Sequence, residues 1–131
     1  MFSHVTVGIT DFDRALAFWR PVMAALGAEE RIIDPARPWA VWQPPGGGRP
    51  LFLILRPEDG AAAAPGNGAM VAFAAADRAT VDRVHRLGLA AGGQDAGAPG
   101  LRPQYHAHYY GAYLRDPDGN KLCIVCHLPP G

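Results

Sequence analysis

Residues 70–93, MVAFAAADRATVDRVHRLGLAAGG, read as a short apolar strand followed by a helix that stops at paired glycines. The start of the chain has the same order. In SHVTVGI, residues 3–9, Val5, Val7 and Ile9 fall on one face and His4, Thr6 and Gly8 on the other, which predicts a half-buried strand. In TDFDRALAFWRPVMAALG, residues 10–27, the period changes. Thr10 or Asp11 can cap a helix, and Ala15, Phe18, Trp19 and Val22 follow at helical spacing. Pro21 removes a backbone donor and predicts a weakened or kinked middle, and Gly27 can end the helix. A shift of 66 residues (70 − 4) lays His4 on Met70, Val5 on Val71, Val7 on Phe73 and Asp11 on Asp77. It also lays Ala24 on Ala90, Ala25 on Ala91 and Gly27 on Gly93. Matches of this kind in one order predict a duplicated unit.

Each copy continues into strands. WAVWQ (39–43) and LFLIL (51–55) are joined by the turn-formers PPGGGRP into a hairpin. PEDGAAAAPGNG (57–68) has little to pack and reads as a linker. Beyond the second helix, DAGAPGLRPQYHAH (95–108) reads as a long loop. YYGAYLR (109–115), the turn DPDGN (116–120) and KLCIVCH (121–127) form a second hairpin, since Asp-Gly between apolar runs is a strong turn signal. Module one is then 1–56 and module two 69–131, within one domain of 131 residues. Neither half has enough apolar surface to stand alone. Paired, they predict an α+β fold: a curved, half-open barrel with helices outside and a cleft inside.

Lys plus Arg is 12 and Asp plus Glu is 12, so the formal charge is zero, which argues against nucleic acid or an anionic membrane as partner. No apolar run approaches the roughly eighteen residues of a membrane span. The start, MFSHVTVGITDFD, lacks the pattern of a signal peptide, so a cytoplasmic protein is expected. With no secretion signal, Cys123 and Cys126 are not expected to form a disulfide, and three apart on a strand they point to opposite faces.

HVTVGITDFDRALAFW, MVAFAAADRATVDRVHRLGLAAGG and GAPGLRPQYHAHYYGAYLRDPDGNKLCIVCH together resemble the vicinal oxygen chelate superfamily, which contains glyoxalases, bleomycin resistance proteins and ring-cleaving dioxygenases. The last two stretches resemble a bacterial glyoxalase-like subgroup. The resemblance covers essentially the whole chain. It implies two tandem βαβββ modules forming a cupped, eight-stranded mixed sheet with helices outside. It also implies a homodimer and one divalent metal in the cup. Its ligand positions fall on His4, on Met70, on Cys123 (where the family usually has glutamate), and near LFLIL, which offers no good donor.

That donor set suits the family's hard metals poorly, because thioether and thiol are soft donors. His4 is the one good ligand, so the metal is expected to be absent or weakly held. A rearranged site recruiting His106, His108 or His127 is one alternative; histidines bonded to water or ligand in a loop are the other. No catalytic residue is assigned. Cys123 is a candidate base or nucleophile if a positive neighbour such as His127 lowers its pKa, and is otherwise a small buried hydrophobe. Tyr105, Tyr109, Tyr110 and Tyr113 gather with His106 and His108 where the family's cup is walled, which suits an organic ligand. Tyr110 and Tyr113 are equally consistent with packing. Arg102 and Arg115 flank the region and can hold a carboxylate or phosphate. The expected ligand-binding residues are His4, Met70, Arg102, Tyr105, His106, His108, Tyr109 and Cys123. Two functions follow: a small-molecule binding protein without the family metal site, or a metal-dependent glyoxalase-type lyase or isomerase (lactoylglutathione lyase-like) with an altered one. Neutral charge gives no sign of the acidic groove that a cationic drug would favour.

Overall fold

The computed structural model describes residues 1–130. Module one runs β1 (His4–Gly8), α1 (Phe12–Ala25), β2 (Glu29–Asp34), β3 (Trp39–Gln43) and β4 (Leu51–Leu55). Module two repeats the order as β5 (Val71–Ala74), α2 (Arg78–Ala90), β6 (Gln94–Leu101), β7 (Tyr110–Arg115) and β8 (Lys121–Cys126). The helices start where short acids supply the cap. Asp11 accepts the Arg14 N–H at 3.1 Å and Asp77 the Thr80 N–H at 2.7 Å. Gly27, at φ 84°, ends α1 in a left-handed turn in which the Ala28 N–H donates to the Met23 carbonyl at 3.0 Å. Pro21 does not break α1. Phe18 and Trp19 before it and Val22 and Met23 after it are all buried, and that anchored stripe holds the helix together on both sides of the missing donor.

Two strands escape a reading of the residues alone. EERIID is β2, and QDAGAPGL, read as loop, is β6. Both are outer strands whose pairing comes from β3 and β7 rather than from their own pattern. The expected eight-stranded sheet is also corrected. There are two separate four-stranded sheets, ordered β1-β4-β3-β2 and β5-β8-β7-β6. In each, the first strand runs parallel to the last and the rest pair antiparallel. The identical order supports the duplication. β1 and β5 are outer strands that do not pair with each other, so side chains join the modules. Phe52 of β4 meets Phe73 of β5 at 5.1 Å between ring centres, and Trp19 of α1 meets both.

The DPDGN turn is the strongest polar tie between the modules. Asp116 is buried, and its carboxylate accepts from Trp19 Nε1 at 3.0 Å, from the backbone N–H groups of Asp118 and Asn120, and from Asn120 Nδ2. Asn120 Nδ2 also donates to the Gly8 carbonyl at 2.8 Å, and Asp118 accepts from the Thr10 N–H and from Arg14. Residues 57–68 are not a free tether. The Ala63 N–H donates to Thr10 Oγ1 at 2.9 Å, which holds this strap across the end of β1. No helix of the described residues is long and apolar enough to cross a membrane.

Candidate functional site

Alternation along β8 decides what faces the cleft. Leu122, Ile124 and Cys126 join the core under the helices, whereas Lys121, Cys123 and Val125 point the other way. Register places Cys123 beside Ala72 of β5 and Tyr113 of β7. Over this face lies a cavity of about 770 Å³. Met70, Tyr105, Tyr109, Tyr113, Arg115 and Lys121 line it, and the strap closes one side with residues 65–69. That volume suits a small organic molecule.

The tyrosines form a connected wall. The Tyr109 and Tyr113 hydroxyls share a hydrogen bond of 2.9 Å, and Tyr109 Oη lies 3.4 Å from Cys123 Sγ. Tyr105 packs against the Tyr109 ring at 4.8 Å. The glycines opposite have no side chain for a steric reason. A Cβ at Gly111 would lie 2.8 Å from Tyr109 Cε1, and one at Gly97 2.8 Å from Tyr113 Cδ2. Each ring therefore has one glycine beside it that leaves it room. Two cations attend Tyr113, with Lys121 Nζ 5.3 Å and Arg102 Cζ 5.6 Å from its centroid. Arg102 is held by the Ala98 carbonyl at 2.8 Å and Arg115 by the Gly119 carbonyl at 2.8 Å.

Burial pushes the Tyr109 hydroxyl far above its usual range, and the neighbouring Cys123 and Tyr113 push it the same way. Burial also raises Tyr113 and the Cys123 thiol. Cys123 is buried, and its surroundings move the thiol away from the thiolate form that an activated nucleophile needs. His127 does not attend it. Its Nδ1 lies 2.8 Å from His106 Nε2, the two rings stack, and the Tyr109 ring abuts both edge-on.

The expected residues thus divide. Met70, Tyr105 and Tyr109 line the cavity and Cys123 lies beneath its tyrosine floor. His106 and His127 form an exposed pair behind Tyr109, and His108 only donates its backbone N–H to His106. His4 stands apart, exposed at the start of β1 and bonded through Nδ1 to Ser3 Oγ at 2.9 Å. The residue pattern does not decide between packing and ligand contact for Tyr113, and Lys121 is marked only by lying two residues before Cys123 on the same face of β8.

The divalent metal that the resemblance implies does not fit these donors. His4 does not line the cavity, Met70 offers a thioether, Cys123 a buried thiol, and β4 presents leucines. Among the described residues no group of three or more His, Cys, Asp or Glu is placed to hold an ion.

Comparison with known proteins agrees with this architecture. A crystal structure of a glyoxalase/bleomycin resistance protein from Albidiferax ferrireducens T118 is 35% identical, covers 96% of this chain and 98% of its own, and superposes with a TM-score of 0.85. A glyoxalase-related enzyme from Fulvimarina pelagi is 22% identical, with coverage of 96% and 87% and a TM-score of 0.70. Lactoylglutathione lyase from Agrobacterium tumefaciens is 23% identical, with coverage of 96% and 92% and a TM-score of 0.65. Below 25% identity these last two speak for the fold alone. No curated protein matches. The sequence model of the Glyoxalase/Bleomycin resistance protein/Dioxygenase superfamily matches residues 1–124, and the chain belongs to that superfamily.

Proposed function

We propose that this protein binds a small organic molecule against the inner face of its second sheet, without the metal-centred chemistry of its superfamily. The carrying observation is the hydrogen-bonded Tyr113–Tyr109–Cys123 chain in the wall of a 770 Å³ cavity, where the resemblance puts a carboxylate ligand at Cys123. Aromatic faces supply contact area and hydroxyls supply orientation. The protein works as a homodimer in the cytoplasm. Exposed Phe2, Leu101 and Leu128 favour a partner copy, and two free thiols suit a reducing compartment.

The competing function is a metal-dependent glyoxalase-type lyase or isomerase, favoured by superfamily membership. A fragment screen on chelator-treated protein separates the two, read through ¹³C-labelled tyrosine rings. Tyr105, Tyr109 and Tyr113 report on the cavity, and Tyr110, which faces α2 and donates to Asp82 at 2.6 Å, serves as the internal control. Ligands that move Tyr109 and Tyr113 without added metal support the binding function. Stoichiometric metal on the purified protein, with turnover of methylglyoxal and glutathione, would establish the lyase instead.

A further inference from the structure

The cavity is more cationic than the chain. Twelve basic residues balance twelve acidic ones overall, yet the cavity is lined by Arg115 and Lys121 and by no carboxylate. The three ion pairs among the described residues are Arg14–Asp118, Arg20–Glu30 and His85–Asp95, so neither lining cation has an acidic partner. Arg102 adds a third positive group against Tyr113. Eleven of the twelve basic residues are arginines, and Lys121 is the single lysine. Its ammonium projects from β8 between this cavity and a smaller one, of about 350 Å³, under β1 and the strap. It contacts the face of Tyr113 and no anion.

We infer that the cavity selects small organic anions, with Lys121 as the residue that reads their charge and the tyrosine wall receiving their planar bodies. This deepens the proposed function and rests on it. Two unpaired cations in a partly enclosed, aromatic-walled space favour a negative ligand and repel a positive one. Arg115, tied to the Gly119 carbonyl, is the more fixed charge, and the lysine stem lets the ammonium follow the ligand.

Three isosteric probes test this: benzoate, benzamide and benzamidine carry negative, neutral and positive charge on one ring. Reductive ¹³C-methylation keeps the lysine charge and gives one lysine signal, assigned by its loss in Lys121→Met. Benzoate is expected to shift that signal and to bind about tenfold tighter than benzamide, with benzamidine weakest. Lys121→Met should remove most of benzoate's advantage over benzamide, with Arg115 keeping the remainder, and Lys121→Arg should restore the preference. Benzamide or benzamidine binding as well as benzoate, or benzoate indifferent to Lys121→Met, would overturn the charge selection while leaving the cup intact. Silence of the lysine and of all tyrosine rings to all three probes would overturn the cup as well.

Discussion

The β3–β4 and β7–β8 hairpins occupy equivalent places in the two modules and have diverged in both chemistry and attachment. The face of the first turned away from the helices presents Val41, Leu51 and Leu53; that of the second presents Tyr113, Lys121 and Cys123. All three tryptophans belong to module one and all four tyrosines to module two. The turn at 44–50 bonds within its own module, where the Gly46 N–H donates to Glu29 at 2.6 Å and Arg49 donates to Ser3. The turn at 116–120 reaches across to Trp19, Thr10, Arg14 and Gly8. One copy of a duplicated hairpin has become scaffold. The other both fastens the modules and walls the cavity, so the fold's main polar tie sits at the end of the strands that carry the site.

The largest difference should appear at the turns. In Asp116→Asn, an amide nitrogen would face donors that now bond a carboxylate oxygen at both positions. A loss of about 3 kcal/mol is expected, read as a lower urea midpoint at constant slope. Glu29→Gln in the other hairpin should stay within about 0.5 kcal/mol, because that carboxylate is exposed. Equal losses would erase the contrast. Next comes Gly111→Ala, whose methyl displaces the Tyr109 ring. It should cost about 1–3 kcal/mol and weaken probe binding, and a crystal structure with Tyr109 unmoved would refute the packing argument.

A smaller effect concerns protonation. Because burial raises Cys123, less thiolate exists at neutral pH than for a free cysteine, and in ¹³C-cysteine-labelled protein the Cys123 Cβ signal should titrate above the ordinary thiol range. The Tyr109 hydrogen bond opposes that shift, so Tyr109→Phe should move this titration further up. A downward movement would show that the hydroxyl does not stabilise the thiolate. Smallest of all is His4→Ala, which should change neither stability beyond about 0.5 kcal/mol nor probe affinity.

The sequence made the fold legible where side chains carry the signal. Alternation marked β1, Thr10 or Asp11 marked the start of the first helix, and Asp-Gly marked the second hairpin. β6 was illegible because its glycines and proline serve a neighbour: Gly97 leaves room for the Tyr113 ring, and the register with β7 shifts beside it. The eight-stranded sheet failed because the residues specify two curved halves but not how their edges meet, which rests on Trp19, Phe52 and Phe73 packing side by side. In the candidate site, Tyr105, Tyr109 and Cys123 were reached through the family resemblance, with alternation along β8 adding the face of Cys123. Lys121 was hidden because a lysine after a turn reads as solvated, and only the strap brought over the sheet by tertiary folding encloses it.

The most direct test is a benzoate titration of protein labelled in its tyrosine and tryptophan rings, followed by NMR. Movement of Tyr109 and Tyr113, with Trp19, Trp39 and Trp42 still, is the predicted result. Movement of the tryptophans with the tyrosines still would contradict a ligand seat on the second module.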